Sequence, residues 1–290
     1  MNHFNKLAIN IMNKLNHINL KNLSKIIYKP HRIIPYMNFL YTNYYENKND
    51  IKLKKLSDTQ ILNIYKNSIT AIKTIIKLYS KNDLLVNVIE DTPNYNKNEN
   101  NLLKDLFIYY GSDKATIHNY HIIYYDILKD KLNKKINILE IGIGTNNINI
   151  LSNMGKNGKP GASLRAFRDF LPNANVYGAD IDRKILFTEE RINTFYIDQT
   201  DIDILNLVKS ELINIKFDLI IDDGLHNTEA NLNSILFSLD LLSSKGIIII
   251  EDIDENDLVY YQIIAAFLND ICKMKFIKAK EGCLFIIEKN

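Results

Sequence analysis

Lys216-Phe-Asp-Leu-Ile-Ile-Asp-Asp-Gly-Leu-His226 carries an apolar run into two carboxylates, a glycine and a histidine. A buried strand usually ends in neutral turn residues, because clustered charge at its tip is costly without a partner. A second apolar run, Gly246-Ile-Ile-Ile-Ile250, ends in Glu251-Asp252. Sequential strands commonly lie side by side, so the two tips are expected to face each other. Carboxylates gathered in so small a space repel one another unless a cation neutralises them. Oxygen donors without cysteine suit Mg²⁺, with Ca²⁺ or Mn²⁺ as substitutes. His226, three residues past Asp223, reaches the same mouth, and its imidazole can accept a proton near neutral pH. The competing reading makes these acids N-caps of the helices that follow and leaves His226 on the surface.

Around this stretch, apolar strands alternate with amphipathic helices from residue 136 onward. Strands are expected at 136–143, 174–181, 194–197, 217–221, 246–250, 275–280 and 283–288. Helices are expected at 161–171, 202–213, 227–242 and 258–271. Such alternation implies an α/β domain with a mostly parallel sheet covered on both faces. Only Glu281-Gly282 separates the last two of these seven strands. That link is too short for a crossover, so the final strand is expected to be antiparallel.

The first core strand runs into Leu139-Glu-Ile-Gly-Ile-Gly-Thr-Asn-Asn147. Gly142 and Gly144 permit a tight turn and close approach of a ligand to the backbone. A dinucleotide fingerprint wants a third glycine where Asn147 stands, and an acid about 20 residues on. The acid here, Asp180, comes later because a polar insertion, Ser152 to Lys159, precedes the helix. A dehydrogenase is therefore disfavoured. Asp180 closes the second strand, with Asp182 as a rival, and Asp198-Gln199 closes the third. Acids at successive strand ends suit a ligand bound outside the carboxyl edge of an open α/β sheet.

Glu140-x-Gly142-x-Gly144 resembles motif I of the class I S-adenosylmethionine-dependent methyltransferases. The resemblance implies a Rossmann-like, doubly wound sheet with the cofactor on the glycine turn. It further implies that Glu140, Gly142, Gly144, Asp180, Asp198 and Gln199 bind the cofactor, with Asp180 on the ribose hydroxyls and Asp198-Gln199 near the adenine. Asp222-Asp-Gly-Leu-His226, Glu251-Asp252, Gly111-Ser-Asp-Lys114, Gly161-Ala-Ser-Leu-Arg165 and Phe170-Leu-Pro-Asn173 together resemble the metal-dependent sugar O-methyltransferases of the macrocin and mycinamicin type. That likeness covers about residues 105–290. It implies Mg²⁺ ligands at Asp223, Glu251 and Asp252, a general base at His226, and a sugar-containing small molecule as acceptor. Leu225 departs from it, since a serine is common there. Ser112-Asp-Lys114 and His118 would help cover the cofactor, or else form an exposed turn and helix face; Asp222 receives no role. A catechol-like phenol is the alternative acceptor, and a non-catalytic cofactor-binding scaffold is the alternative from another class.

Length and composition are those of an ordinary soluble globular protein. The 290 residues are 46% hydrophobic and 24% charged, and no apolar stretch is long enough for a membrane helix. No secretory signal pattern opens the chain. Cys272 and Cys283 are too few for a disulfide framework, and a cytoplasmic setting is expected. The net charge of +2 conceals a basic first hundred residues, with 15 Lys+Arg against 7 Asp+Glu, and an acidic remainder, with 21 against 27. The basic residues are interleaved with asparagine, isoleucine and tyrosine rather than clustered, so neither a nucleic-acid nor a membrane partner is expected. A homo-oligomer is left open. Residues 1–100 are expected to form a helical extension with its clearest helix at 57–80 and a polar linker at 91–101; residues 101–290 form the methyltransferase-like domain.

Overall fold

The computed structural model describes residues 90–91, 102–254 and 257–290. The chain divides into Met1–Leu78 and Tyr79–Asn290, and every described residue belongs to the second unit. The expected helix at 57–80 lies outside the described residues, as does the linker apart from Asp91.

The strands are β1 (Glu90–Asp91), β2 (Asn137–Ile141), β3 (Asn175–Asp180), β4 (Thr188–Glu189), β5 (Ile192–Tyr196), β6 (Phe217–Asp222), β7 (Leu242–Ile250), β8 (Cys272–Lys278) and β9 (Cys283–Lys289). The α-helices are α1 (Leu102–Tyr110), α2 (Tyr120–Leu128), α3 (Ala162–Phe170), α4 (Ile202–Leu212), α5 (Thr228–Leu239) and α6 (Leu258–Leu268). The sheet order is β1-β8-β9-β7-β6-β2-β3-β5-β4. The pairs β7–β6, β6–β2, β2–β3 and β3–β5 are parallel. β9 runs antiparallel to both β7 and β8, the latter as the short link between them requires. All seven expected strands are present. Two dipeptide strands extend the edges: β4 pairs antiparallel with β5, and β1 pairs parallel with β8. β1 falls inside the segment expected to be helix and linker; two residues are too few to show a strand period.

The strand order places β2 and β6, whose ends carry the chemistry, side by side in the middle. Their neighbours take the chain away in opposite directions, so the crevice opens at their carboxyl ends. Period-two alternation then sorts the side chains. Ile138, Leu219, Ile221 and Ile249 point into the core built with Leu103, Phe107, Tyr120, Tyr124 and Phe167 of α1, α2 and α3. Two residues beyond Ile138, Ile221 and Ile249 stand Glu140, Asp223 and Glu251. These three acids therefore share one face, beneath α1–α3. Asp222, one residue out of step, goes to the other face beside Ser234 of α5.

Candidate active site

Hydrogen bonds beyond the ends of the ladders hold the strand tips in register. Gly142 N donates to Ala179 O at 2.8 Å, Asp223 N to Ile141 O at 2.8 Å, and Glu251 N to Asp222 O at 2.9 Å. Gly142 has φ +89, and a Cβ there would lie 2.1 Å from the carbonyl oxygen of Asp223. Only glycine lets the β2 turn lie against the β6 turn so closely.

Four carboxylates meet at these tips. Glu140 and Glu251 are buried at 0% and 1% exposure, whereas Asp223 and Asp252 are partly open at the mouth. Lys114, itself 2% exposed, sits among them. It lies within the short 3₁₀ turn Asp113–Ala115, which is capped by the side chain of Ser112 accepting from Lys114 N. The Lys114 ammonium donates to Asp223 Oδ2 and to Glu251 Oε2, both at 2.6 Å, and lies 3.3 Å from Glu140 Oε1. Tyr124 donates to the other oxygen of Glu251, and Tyr120 to Asp252. Ser163 of α3 donates to Glu140 Oε2. Burial opposes the charge on Lys114, but Asp223, Glu251 and Glu140 outweigh it and hold its pKa well above the ordinary lysine value. Burial likewise pushes Asp223 up, yet Lys114 and His226 hold it below the usual carboxylate range. Burial, then the Asp223 charge, lift Glu251 well above that range.

At the mouth, Asp223, His226 and Asp252 offer ligand atoms that all lie within 4.8 Å of one another. His226 Nε2 is 3.8 Å from Asp223 Oδ1. His226 and Asp252 have φ +52 and +53. Non-glycine residues rarely enter this left-handed region, and those that do cluster at functional sites. His118 stacks on Tyr120, its Nδ1 2.8 Å from Glu281 O and 3.8 Å from Asp252 Oδ1. The cap reading of the acids does not hold: α5 is capped by Asn227, whose side chain accepts from Ala230 N.

At the glycine turn, Asp180 accepts from Ile143 N at 3.0 Å and from Asp182 N at 2.8 Å, so it fastens that turn to β3. Asp182 accepts from Thr145 Oγ1 at 2.6 Å. Asp198 accepts from the backbone and hydroxyl of Thr200. Gln199 is engaged at both ends of its amide: Nε2 donates to Asp222 Oδ1 and Ser234 Oγ, and Oε1 accepts from Leu225 N. It braces the Asp222–His226 turn. Asp222, which the sequence left without a role, is a buried partner of that brace, and burial pushes its pKa up to about 6. The long insertion after the glycine turn folds back, with Met154 against Gly144 and Ser152 Oγ donating to Leu225 O at 3.1 Å.

Of the expected residues, Glu140, Asp223, Glu251, Asp252 and His226 do converge. Sequence reasoning missed Tyr120 and Tyr124, whose spacing of four on α2 puts both hydroxyls over the acids.

No protein-family model matches the chain. Over 151 residues it is 28% identical to the 8-demethyl-8-alpha-L-rhamnosyl tetracenomycin-C 2'-O-methyltransferase of Streptomyces olivaceus. It is 29% identical, also over 151 residues, to the mycinamicin VI 2''-O-methyltransferase of Micromonospora griseorubida. Each match takes 52% of this chain but only 37% and 35% of the relatives, so the chain spans little more than a third of their lengths. Among solved structures, the MycE methyltransferase of the mycinamycin pathway, solved with Mg and SAH, superposes with a TM-score of 0.53 at 23% identity, covering 65% of this chain and 54% of that one. The fold is that of a class I methyltransferase. The likeness to the macrocin and mycinamicin type, expected from the motifs, is present in the sequence matches as well. Among the described residues, no helix is long and apolar enough to cross a membrane.

Proposed function

We propose that the chain is an S-adenosylmethionine-dependent O-methyltransferase, assisted by a divalent cation, that acts on a hydroxyl of a sugar or glycosylated small molecule. The observation that carries this reading is the convergence of Asp223, His226 and Asp252 beside the glycine turn. The names of the similar curated proteins and the Mg and SAH of the MycE structure support it. The catalytic domain is proposed to span residues 101–290.

Two carboxylates at one open mouth fit a hard divalent cation such as Mg²⁺, with the imidazole of His226 beside them. Asp223 and Asp252 are the proposed ligands. Glu251, the third ligand that the resemblance implies, has both oxygens engaged by Lys114 and Tyr124. When bound, the cation would lower the pKa of the acceptor hydroxyl and fix its direction, and S-adenosylmethionine would supply the electrophilic methyl group, its sulfur keeping the pair of the broken S–CH3 bond and leaving as S-adenosylhomocysteine. His226 is the proposed general base. It takes the proton from the acceptor hydroxyl, and Asp223, 3.8 Å away, steadies the imidazolium that results. Gly142 and Gly144 keep the backbone open to the cofactor. Asp180 is proposed to reach the ribose hydroxyls: each carboxylate oxygen has two lone pairs, and the backbone bonds leave some free. Asp198 is the proposed contact near the adenine, with Glu140 and Gln199 supporting the turns on either side.

Transfer of an isotopically labelled methyl group from S-adenosylmethionine to a panel of glycosylated small molecules tests the reading. The expected result is incorporation with Mg²⁺ that EDTA abolishes. Transfer only to free catechols would replace the acceptor class, and transfer to no hydroxyl at all would overturn the proposal.

A further inference from the structure

One lysine stands where the resemblance would put the inner edge of a metal site. Among the described residues, three carboxylates, those of Glu140, Asp223 and Glu251, meet one ammonium, that of Lys114, while Asp252 stands apart with Tyr120 and His118. The lysine does not sit evenly among them. It contacts one oxygen of Asp223, one of Glu251 and one of Glu140. Tyr124 takes the remaining oxygen of Glu251, and Ser163 the remaining oxygen of Glu140. Both buried glutamates are thereby engaged on the inner side. Asp223 Oδ1 faces outward to His226, and Asp252 lies on the mouth side with Tyr120.

We propose that Lys114 is a resident cation that divides this cluster in two, holding Glu140 and Glu251 as inner supports and confining an incoming divalent cation to the outer ligands Asp223 and Asp252 beside His226. This rests on the divalent site proposed above. The physical reason is proximity. The ammonium binds the same carboxylate that serves the ion, so the two cations repel across one side chain. Lys114 thus weakens divalent binding while keeping the acids apart in its absence. A lysine that merely propped up the site would do the opposite, and its loss would weaken the ion's hold.

Mn²⁺ binding to the full chain, followed by electron paramagnetic resonance, separates these outcomes without reference to turnover. Lys114→Met is expected to bind Mn²⁺ about tenfold more tightly, or more, because a charge within a few ångströms of the ion is removed. Adding Glu251→Gln to that variant is expected to cancel most of the gain, since the freed glutamate becomes a ligand only when Lys114 is gone. In the otherwise unchanged chain, Glu251→Gln is expected to alter Mn²⁺ affinity by less than about threefold, the shift expected from losing a charge that Lys114 already neutralises. Equal or weaker binding by folded Lys114→Met would overturn the proposal. So would loss of Mn²⁺ binding in Glu251→Gln alone, a result that stands even if Lys114→Met fails to fold. Mn²⁺ binding by neither the unchanged chain nor Lys114→Met would overturn the divalent site itself, whereas binding that Asp223→Asn and Asp252→Asn abolish would keep that site intact whatever becomes of Lys114.

Discussion

At the scale of single residues, the site is a problem in charge placement. His226 and Asp252 are held in left-handed backbone at the tips of β6 and β7, a conformation that costs on the order of 1–3 kcal/mol each. The bonds around them, from Leu225 N to Gln199 Oε1 and from Tyr120 to Asp252, hold that geometry. His226→Ala is expected to lower turnover by about 10²–10⁴-fold, the usual contribution of a general base, while S-adenosylmethionine binding measured by calorimetry is unchanged. Lost cofactor binding in that variant would make His226 a structural residue instead. Tyr124 is fully buried and its hydroxyl serves Glu251. Tyr124→Phe leaves that carboxylate short of a partner and is expected to cost about 1–3 kcal/mol in denaturant unfolding. Asp223, His226, Glu251 and Asp252 were legible as a group because strand tips expose their residues in sequence order. Lys114 was not. It meets Asp223 across 109 residues and Glu251 across 137, and no local pattern announces a contact so distant.

At the scale of elements, the strands could be read because each is an apolar run closed by polar residues, and the antiparallel β9 because the link before it is too short for a crossover. The dipeptide strands β1 and β4 carry no periodicity to read. Gln199 shows the same limit from the other side. Its place at the end of β5 was visible, but its amide turns to the β6 tip and α5 rather than outward, and that depends on which strands become neighbours. β4 is tied to α3 by charge: Glu189 accepts from Arg165 at 2.6 and 3.0 Å and from Arg168 at 3.0 Å. The Arg165 bonds hold the Glu189 carboxyl below its ordinary value of 4.5. A carboxyl with a lowered folded-state pKa adds stability above its unfolded value, and loses it as pH falls through the folded one. Glu189→Gln is therefore expected to cost about 0.5–1 kcal/mol at pH 7, discounted because the pair is about one-third exposed. The gap between variant and unchanged chain should close as pH drops below about 4.5. Urea unfolding across that range checks it; a gap that stays constant would assign the loss to packing rather than charge.

At the scale of the molecule, the sheet brings a glycine turn on β2 against the acid-bearing tip of β6, with β7 completing the mouth. On the proposed function, one crevice serves a cofactor on the β2–β3 side and an acceptor on the β6–β7 side. A ligand that binds only the folded chain stabilises it in proportion to the logarithm of its concentration. S-Adenosylmethionine at about 100 times its dissociation constant is expected to add about 2.7 kcal/mol, seen as a raised unfolding midpoint that NAD does not reproduce. The most direct test is a calorimetric titration of S-adenosylmethionine into the full chain, run once with Mg²⁺ and once with EDTA. Saturable binding at one site per chain is the expected result. No binding under either condition would contradict the account at its root.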